Sequence, residues 1–241
     1  MIAWLAAGAP FPPVESARTS PNGLLAASRD LDADQLADAY GRGIFPWYSS
    51  GEPVLWWSPN PRMVLVPGEL HVSHSLRKRL RAAHRSTDEQ IVVDRDFAAV
   101  MRACAAPRGD SDGTWITPEV QHAYVDLHRR GNAHSVEVRR GDELLGGLYG
   151  VAFGRMFYGE SMFTRAVDRS KIALVSLVQI LLHEGVAMID CQQATSHLKS
   201  LGARPIGRKV FCAHVAQATK LQPIDWSSWS GRALNYLLEG F

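Results

Sequence analysis

From about Leu70 onward, apolar positions switch between a repeat of three to four and runs that are alternately or continuously apolar, the marks of helix and strand. Residues 74–85 read as a basic helix with Leu76 and Leu80 turned inward. Asp96 can cap a second helix, in which Phe97, Val100, Met101 and Cys104 share a face. Thr117-Pro118-Glu119 is a strong helix start: a cap, a proline at the first position, and an acid near the positive end of the dipole. Val120, Ala123, Tyr124 and Leu127 form the buried stripe of that helix. Strand-like runs follow at 134–139, 143–153 and 155–163, with Gly141-Asp142 as a tight hairpin turn between the first two. Ser170 is then placed to cap a long apolar helix over 171–184. Residues 187–191 read as a buried strand, 195–201 as a short helix and 210–220 as a last helix.

The first 66 residues have a different texture, rich in proline, glycine and tryptophan. They contain one clear helix, capped by Asp32, with Leu36, Ala39 and Tyr40 on one face before Gly41. The expected organisation is a small N-terminal α/β domain over 1–66 and a larger domain over 67–241. The fold class is α+β, with a mixed, mostly antiparallel sheet flanked by helices. The order of elements in the larger domain resembles acyltransferases of the GNAT type, an analogy of fold that does not establish function.

Composition changes this picture little. The chain has 241 residues, 46% hydrophobic and 21% charged, enough to bury a full core. Its three cysteines are far apart, which argues against a disulfide framework or zinc cluster and for a reduced, cytoplasmic protein. No run approaches the roughly 18 apolar residues of a membrane span. The apolar start of the chain lacks the basic residues of a signal peptide.

Charge is informative only locally. Arg77, Lys78, Arg79, Arg81 and Arg85 lie together, and without these five cations the net charge of +2 would be −3. On a helix Arg77, Arg81 and Arg85 form one stripe, which suits phosphate binding, the alternative being a solvated face. The segment from Tyr40 to Arg62 holds three of the seven tryptophans, Trp47, Trp56 and Trp57, among glycines and prolines. A rigid aromatic surface of this kind either stacks bases or forms a small core under a loop.

Two strand segments carry candidate chemistry. Glu160 lies in the otherwise apolar Tyr158-Gly-Glu-Ser-Met-Phe163, where it faces solvent or is buried for a purpose. Asp190 and Gln192 end a hydrophobic strand, and alternation places them on one face with Cys191 opposite, in the core. An Asp bonded to the Gln amide could orient it towards a carbonyl or an amine. His71-x-x-His74 and His183-Glu184 lack a third ligand at metal-site spacing. The loop from Thr164 to Ser170 has no glycine, unlike the phosphate-holding turn of acetyl-CoA-dependent GNAT enzymes, so the acyl donor is expected not to be CoA.

Seven stretches together resemble the bacterial leucyl/phenylalanyl-tRNA–protein transferases: Pro21-Asn-Gly-Leu-Leu25, Arg42-Gly-Ile-Phe-Pro-Trp47, Leu55-Trp-Trp-Ser-Pro59, Thr114-Trp-Ile-Thr117, His134-Ser-Val-Glu137, Gly159-Glu-Ser-Met-Phe163 and Ile189-Asp-Cys-Gln192. They run in the family's order over roughly residues 20 to 205. The resemblance implies transfer of leucine or phenylalanine, sometimes methionine, from aminoacyl-tRNA to an N-terminal Arg or Lys, marking the product for N-degron degradation. Aminolysis of an activated ester calls for no metal or redox cofactor, and a cytoplasmic monomer is expected.

Carried over by position, the resemblance makes Asp190 and Gln192 the relay that activates the α-amine, with Glu160 a substrate-binding carboxylate in the same cleft. Trp47 and Trp115 would hold the terminal adenosine of the tRNA, with Tyr40 and Tyr124 lining the cleft. Leu148, Met162, Leu174, Leu177 and Ile189 would form the aminoacyl pocket. The helix bearing Arg77, Lys78, Arg81 and Arg85 would meet the acceptor stem. Leu148 and Leu177 stand where some relatives carry Met or Phe, which leaves the Leu-versus-Phe preference open. The competing readings are a Fem-type tRNA-dependent ligase and a non-catalytic RNA-binding module.

Overall fold

A computed structural model describes residues 2–107 and 114–241. Its first sheet has four strands in the order β1-β2-β4-β3, formed by Ala3–Leu5, Leu24–Ser28, Phe45–Pro46 and Val54–Trp57 as β1 to β4 in chain order. Helix α1, Ala33–Gly41, packs against it and starts where Asp32 accepts a hydrogen bond from the Gln35 amide at 2.7 Å. The run holding Trp56 and Trp57 reads as strand-like and forms β4, whereas the other three strands, of two to five residues, are too short to show a period.

The second sheet has seven strands, ordered β11-β5-β10-β9-β8-β7-β6. In chain order these are β5 (Arg62–Leu65), β6 (Glu89–Val93), β7 (Ala133–Arg140), β8 (Glu143–Phe153), β9 (Met156–Thr164), β10 (Ile189–Gln192) and β11 (Arg204–Ile206). All neighbours are antiparallel except β9 and β10. Strand β5, within the first 66 residues, belongs to this sheet and not to the first.

Helices cover both faces of the large sheet. On one face lie α3 (Phe97–Ala105), α4 (Pro118–Arg129) and α7 (Arg208–Ala218), in a core shared with α1 and the small sheet. On the other lie α2 (His74–His84) and α5 (Arg169–His183), with the C-terminal Trp226, Trp229, Leu234 and Leu238. Helix α6, Ser196–Ser200, follows β10. Alternation along β8 explains the division: Tyr149 and Val151 enter the first core, Leu148 and Ala152 the second.

The expected caps at Asp96 and Thr117 are present, each side chain accepting from the amide three residues on. The cap of the long helix differs. Helix α5 begins at Arg169, after Asp168 in the left-handed region at φ 63°, so Ser170 sits inside the first turn and caps nothing. The C-terminal segment is tied down by Asn235, whose amide nitrogen donates to the Ala83 and Glu89 carbonyls while its oxygen accepts from the Ile91 amide.

Candidate active site

The site lies where the parallel strands part. Strands β9 and β10 are joined by the α5 crossover and pair only at Ile189 with Phe157 and Asp190 with Tyr158. Beyond that level both strands carry a bulge. On β9, Ser161 and Gly159 face the consecutive Tyr149 and Gly150, which leaves Glu160 as the extra residue. On β10, Asp190 and Gln192 face the consecutive Val64 and Met63, which leaves Cys191 as the extra residue. A bulge re-aims a side chain and breaks strict alternation. Strand β9 is buried from Met156 to Tyr158, up to the parting, and only partly buried from Gly159 to Met162 beyond it.

The gap forms a cavity of about 320 Å³ that touches both faces of the sheet. Its apolar wall includes all five expected pocket residues: Leu148, Met162, Leu174, Leu177 and Ile189. Glu160 and Gln192 line it as well. Trp115 and Ser161 are shared with an outer groove of about 870 Å³ that also holds Trp47. Trp47 is 44% exposed and meets Trp57 edge-on at 6.0 Å. Trp56, by contrast, is buried in the small sheet, where its indole nitrogen donates to Ser28 Oγ at 2.9 Å and its ring meets Phe11 at 4.8 Å.

Glu160 sits at the centre of a hydrogen-bond ring. Its Oε1 accepts from the Tyr40 hydroxyl at 2.6 Å and from Gln192 Nε2 at 2.8 Å, and its Oε2 lies 3.2 Å from the Tyr124 hydroxyl. The two hydroxyls are 2.5 Å apart. Burial raises the carboxyl from 4.5 to about 7, helped by the charge of Asp190 and opposed by the tyrosine hydrogen bonds and Arg62. Both phenols are pushed well above 10, chiefly by burial and then by the neighbouring carboxylate. Tyr40 and Tyr124 do not line the cleft as expected: both are fully buried behind Glu160 and line neither the cavity nor the outer groove. Their ring positions follow from α1 and α4, which pack against each other on this face.

Asp190 and Gln192 are also arranged differently from the expected relay. Asp190 is fully buried, and Arg62 grips it with Nε to Oδ1 at 2.8 Å and Nη2 to Oδ2 at 2.6 Å. Its one contact with Gln192 is the backbone amide, which donates to Oδ1 at 2.8 Å. The bulge and a φ of 61° at Gln192 send the side-chain amide to Glu160 instead. Arg62 itself is held between the rings of Phe45 and Phe211, 4.6 and 4.5 Å from their centroids, and donates to the Gly43 carbonyl. Sequence reasoning gave Arg62 no role, although an arginine opening the apolar run Arg62-Met-Val-Leu65 requires a buried acid.

Cys191 packs against the second core, as expected, and also lines the cavity; burial pushes its thiol up to about 12, far from a nucleophilic thiolate. Arg77, Lys78, Arg79, Arg81 and Arg85 are all exposed on α2, whose Leu76 and Leu80 are buried. None of them lines the cavity or the groove. Asp94, His128 and His134 also converge, but three of the four ring nitrogens are engaged: His134 contacts Asp94 and the Gly131 carbonyl, and His128 Nδ1 the Ala133 carbonyl. No described helix is long and apolar enough to cross a membrane.

Comparison with known proteins identifies one family. Residues 64–216 match the leucyl/phenylalanyl-tRNA protein transferase model, and residues 29–60 match the model of its N-terminal domain. The leucyl/phenylalanyl-tRNA–protein transferase of Burkholderia vietnamiensis is 59% identical over 230 residues, covering 94% of this chain and 91% of that one. Its counterpart in Bordetella bronchiseptica is 56% identical over 232 residues, covering 94% of this chain and 91% of its own length. A solved GCN5-related N-acetyltransferase from Kribbella flavida is 14% identical, covers 68% of this chain and 57% of that one, and has a TM-score of 0.37, a likeness too loose to bear on the site. The chain belongs to the leucyl/phenylalanyl-tRNA protein transferase family.

Proposed function

We propose that this chain transfers leucine or phenylalanine, and sometimes methionine, from aminoacyl-tRNA to the N-terminal Arg or Lys of acceptor proteins. The observation that carries the reading is one continuous cleft: an apolar cavity with Glu160 and Gln192 in its wall, opening past Trp115 into an aromatic groove. In this reading the amino-acid side chain fills the cavity, the terminal adenosine stacks in the groove on Trp47 and Trp115, and the ester lies between them.

An acceptor amine arrives as an ammonium with a pKa of about 8 and must lose a proton before it attacks. Glu160, at about 7, is within roughly one unit, so the transfer costs only about 1.4 kcal/mol. The ring of hydroxyls suits this step. When Oε2 takes the proton it donates to Tyr124, which donates to Tyr40, which donates to Oε1, and no donor is orphaned. Gln192 commits its amide nitrogen to Glu160, leaving its carbonyl oxygen to hold the amine. A C–N bond then forms and the C–O bond to the ribose breaks. Of the three ammonium protons, one passes through Glu160 to solvent, one ends on the ribose oxygen and one remains on the new amide.

Asp190 acts at one remove. With both oxygens committed to Arg62 and the Gln192 amide, it positions Gln192 and takes no proton from substrate. The test is to incubate the protein with leucyl-tRNA and a reporter beginning with Arg, then to sequence the N-terminus of the product. An added N-terminal leucine is expected. Unmodified reporter, with RNA binding intact, would leave the RNA-binding module as the better account.

A further inference from the structure

The outer groove contains no charged side chain among its described lining residues, only indoles, hydroxyls, an amide and apolar groups. If it holds the terminal adenosine, the described cations that meet the phosphates leading to that nucleotide lie outside it. Helix α4 leads to them. Pro118 and Gln121 line the groove, and Gln121 also lines a neighbouring furrow of about 210 Å³ between α3 and α4. The furrow carries Arg102 from α3 with His122 and Arg129 from α4.

All three side chains are exposed, and no hydrogen bond or ion pair engages them among the described residues. The contrast with the next residue is sharp, since Arg130 is held by Asp34 and Asp126 at 2.6 and 2.7 Å. Gln121, His122, Val125 and Arg129 recur at helical spacing along one flank of α4. From Pro118 to Arg129 that flank runs about 16 Å at ~1.5 Å per residue. At a rise of roughly 3.4 Å per nucleotide it spans a few residues of a single strand. The five cations of α2 lie against the opposite face of the sheet and line none of these surfaces.

We infer that the α3–α4 furrow is a phosphodiester track for the unpaired nucleotides immediately 5′ of the terminal adenosine, with Arg102 and Arg129 as its phosphate ligands. This rests on the reading of the groove as the adenosine site. The furrow holds the strand that enters the groove, while α2 remains available to the duplex behind it.

The test uses the double variant R102Q/R129Q in the full chain. Binding of a labelled deacylated tRNA is measured against salt, and transfer is measured with two donors, leucyl-tRNA and leucyl-adenosine, the second having no phosphate. The expected result is a log–log salt slope shallower by about 1.4, from roughly 0.7 per cation on a single strand. A fall in kcat/KM confined to leucyl-tRNA should accompany it. An unchanged slope overturns the track, and so does an equal loss with both donors, which would place the effect in the fold or the cleft. If the wild-type chain transferred leucine from neither donor, the proposed function would fail, while the tRNA salt slope would still decide on the furrow.

Discussion

Arg62 and Asp190 form a two-point ion pair at 2.8 and 2.6 Å with neither side chain exposed. This pair sits under the functional groups and does not touch the cavity. Removing one member leaves a buried charge unpaired, which typically costs about 3–5 kcal/mol. D190N and R62M should therefore both lower the unfolding free energy by that order in urea titrations. D190N should also cut turnover with leucyl-tRNA while leaving tRNA affinity nearly unchanged. Wild-type turnover in D190N would remove Asp190 from the positioning of Gln192.

Glu160 carries the pH dependence. If Glu160 takes the proton from the amine, as proposed, its carboxylate is the working form and kcat should rise with pH through about 7. The stability effect has the opposite sign. With a folded pKa above the unfolded value of 4.5, the native state binds more protons than the unfolded state between about 4.5 and 7. Stability from this group is complete below that window and is lost as pH rises through it. E160Q should abolish the acid limb of the rate profile and flatten the stability change. Thermal melts at pH 5 and pH 8, run beside the rate measurements, check both.

The cavity wall should set donor preference. Leu177→Ala enlarges the pocket and should raise the ratio of kcat/KM for phenylalanyl-tRNA over leucyl-tRNA. Leu148→Phe narrows it and should lower that ratio. Each methylene in such a pocket is worth about 1–3 kcal/mol, so shifts of roughly ten-fold or more are the scale to look for. A ratio unchanged in both variants would move the amino-acid side chain out of this cavity.

The two indoles of the groove should matter through binding. W115A and W47A should each weaken the donor by about 1–3 kcal/mol, the worth of one base stacked on an aromatic ring. The loss should appear with leucyl-adenosine as well as leucyl-tRNA. Trp56, buried in the small sheet, should affect stability and leave donor affinity alone when replaced by Phe.

The α2 stripe is tested by R77Q/R81Q/R85Q. If it meets a duplex stem, the salt slope of tRNA binding should fall by roughly two to three, at about 0.9 per cation. An unchanged slope would make the stripe a solvated helix face.

Caps and stripes made the longer helices legible, because Asp32, Asp96 and Thr117 announce their own starts. The five residues expected to wall a pocket, carried over by position from the family resemblance, arrive together in one cavity. The arrangement of Asp190 and Gln192 was not legible, because two bulges defeat a rule of alternation that single-strand reading cannot avoid. Tyr40 and Tyr124, expected to line the cleft, stand one layer back, hydrogen-bonded to Glu160 from behind. Arg62 and Asp190 are 128 positions apart, and no local pattern joins residues at that distance.

The parting of β9 from β10 has a consequence for how such a site changes over time. Each strand remains laddered to its outer neighbour, β9 to β8 as far as Thr164 and β10 to β5 as far as Gln192. The slot is therefore a mould whose span is set by main chain and whose capacity is set by side chains from six separate helices and strands. One substitution can retune what it admits without disturbing the ladders that hold it open. Diversification of donor choice can then proceed by single replacements on a constant frame, with no insertion, deletion or remodelled loop.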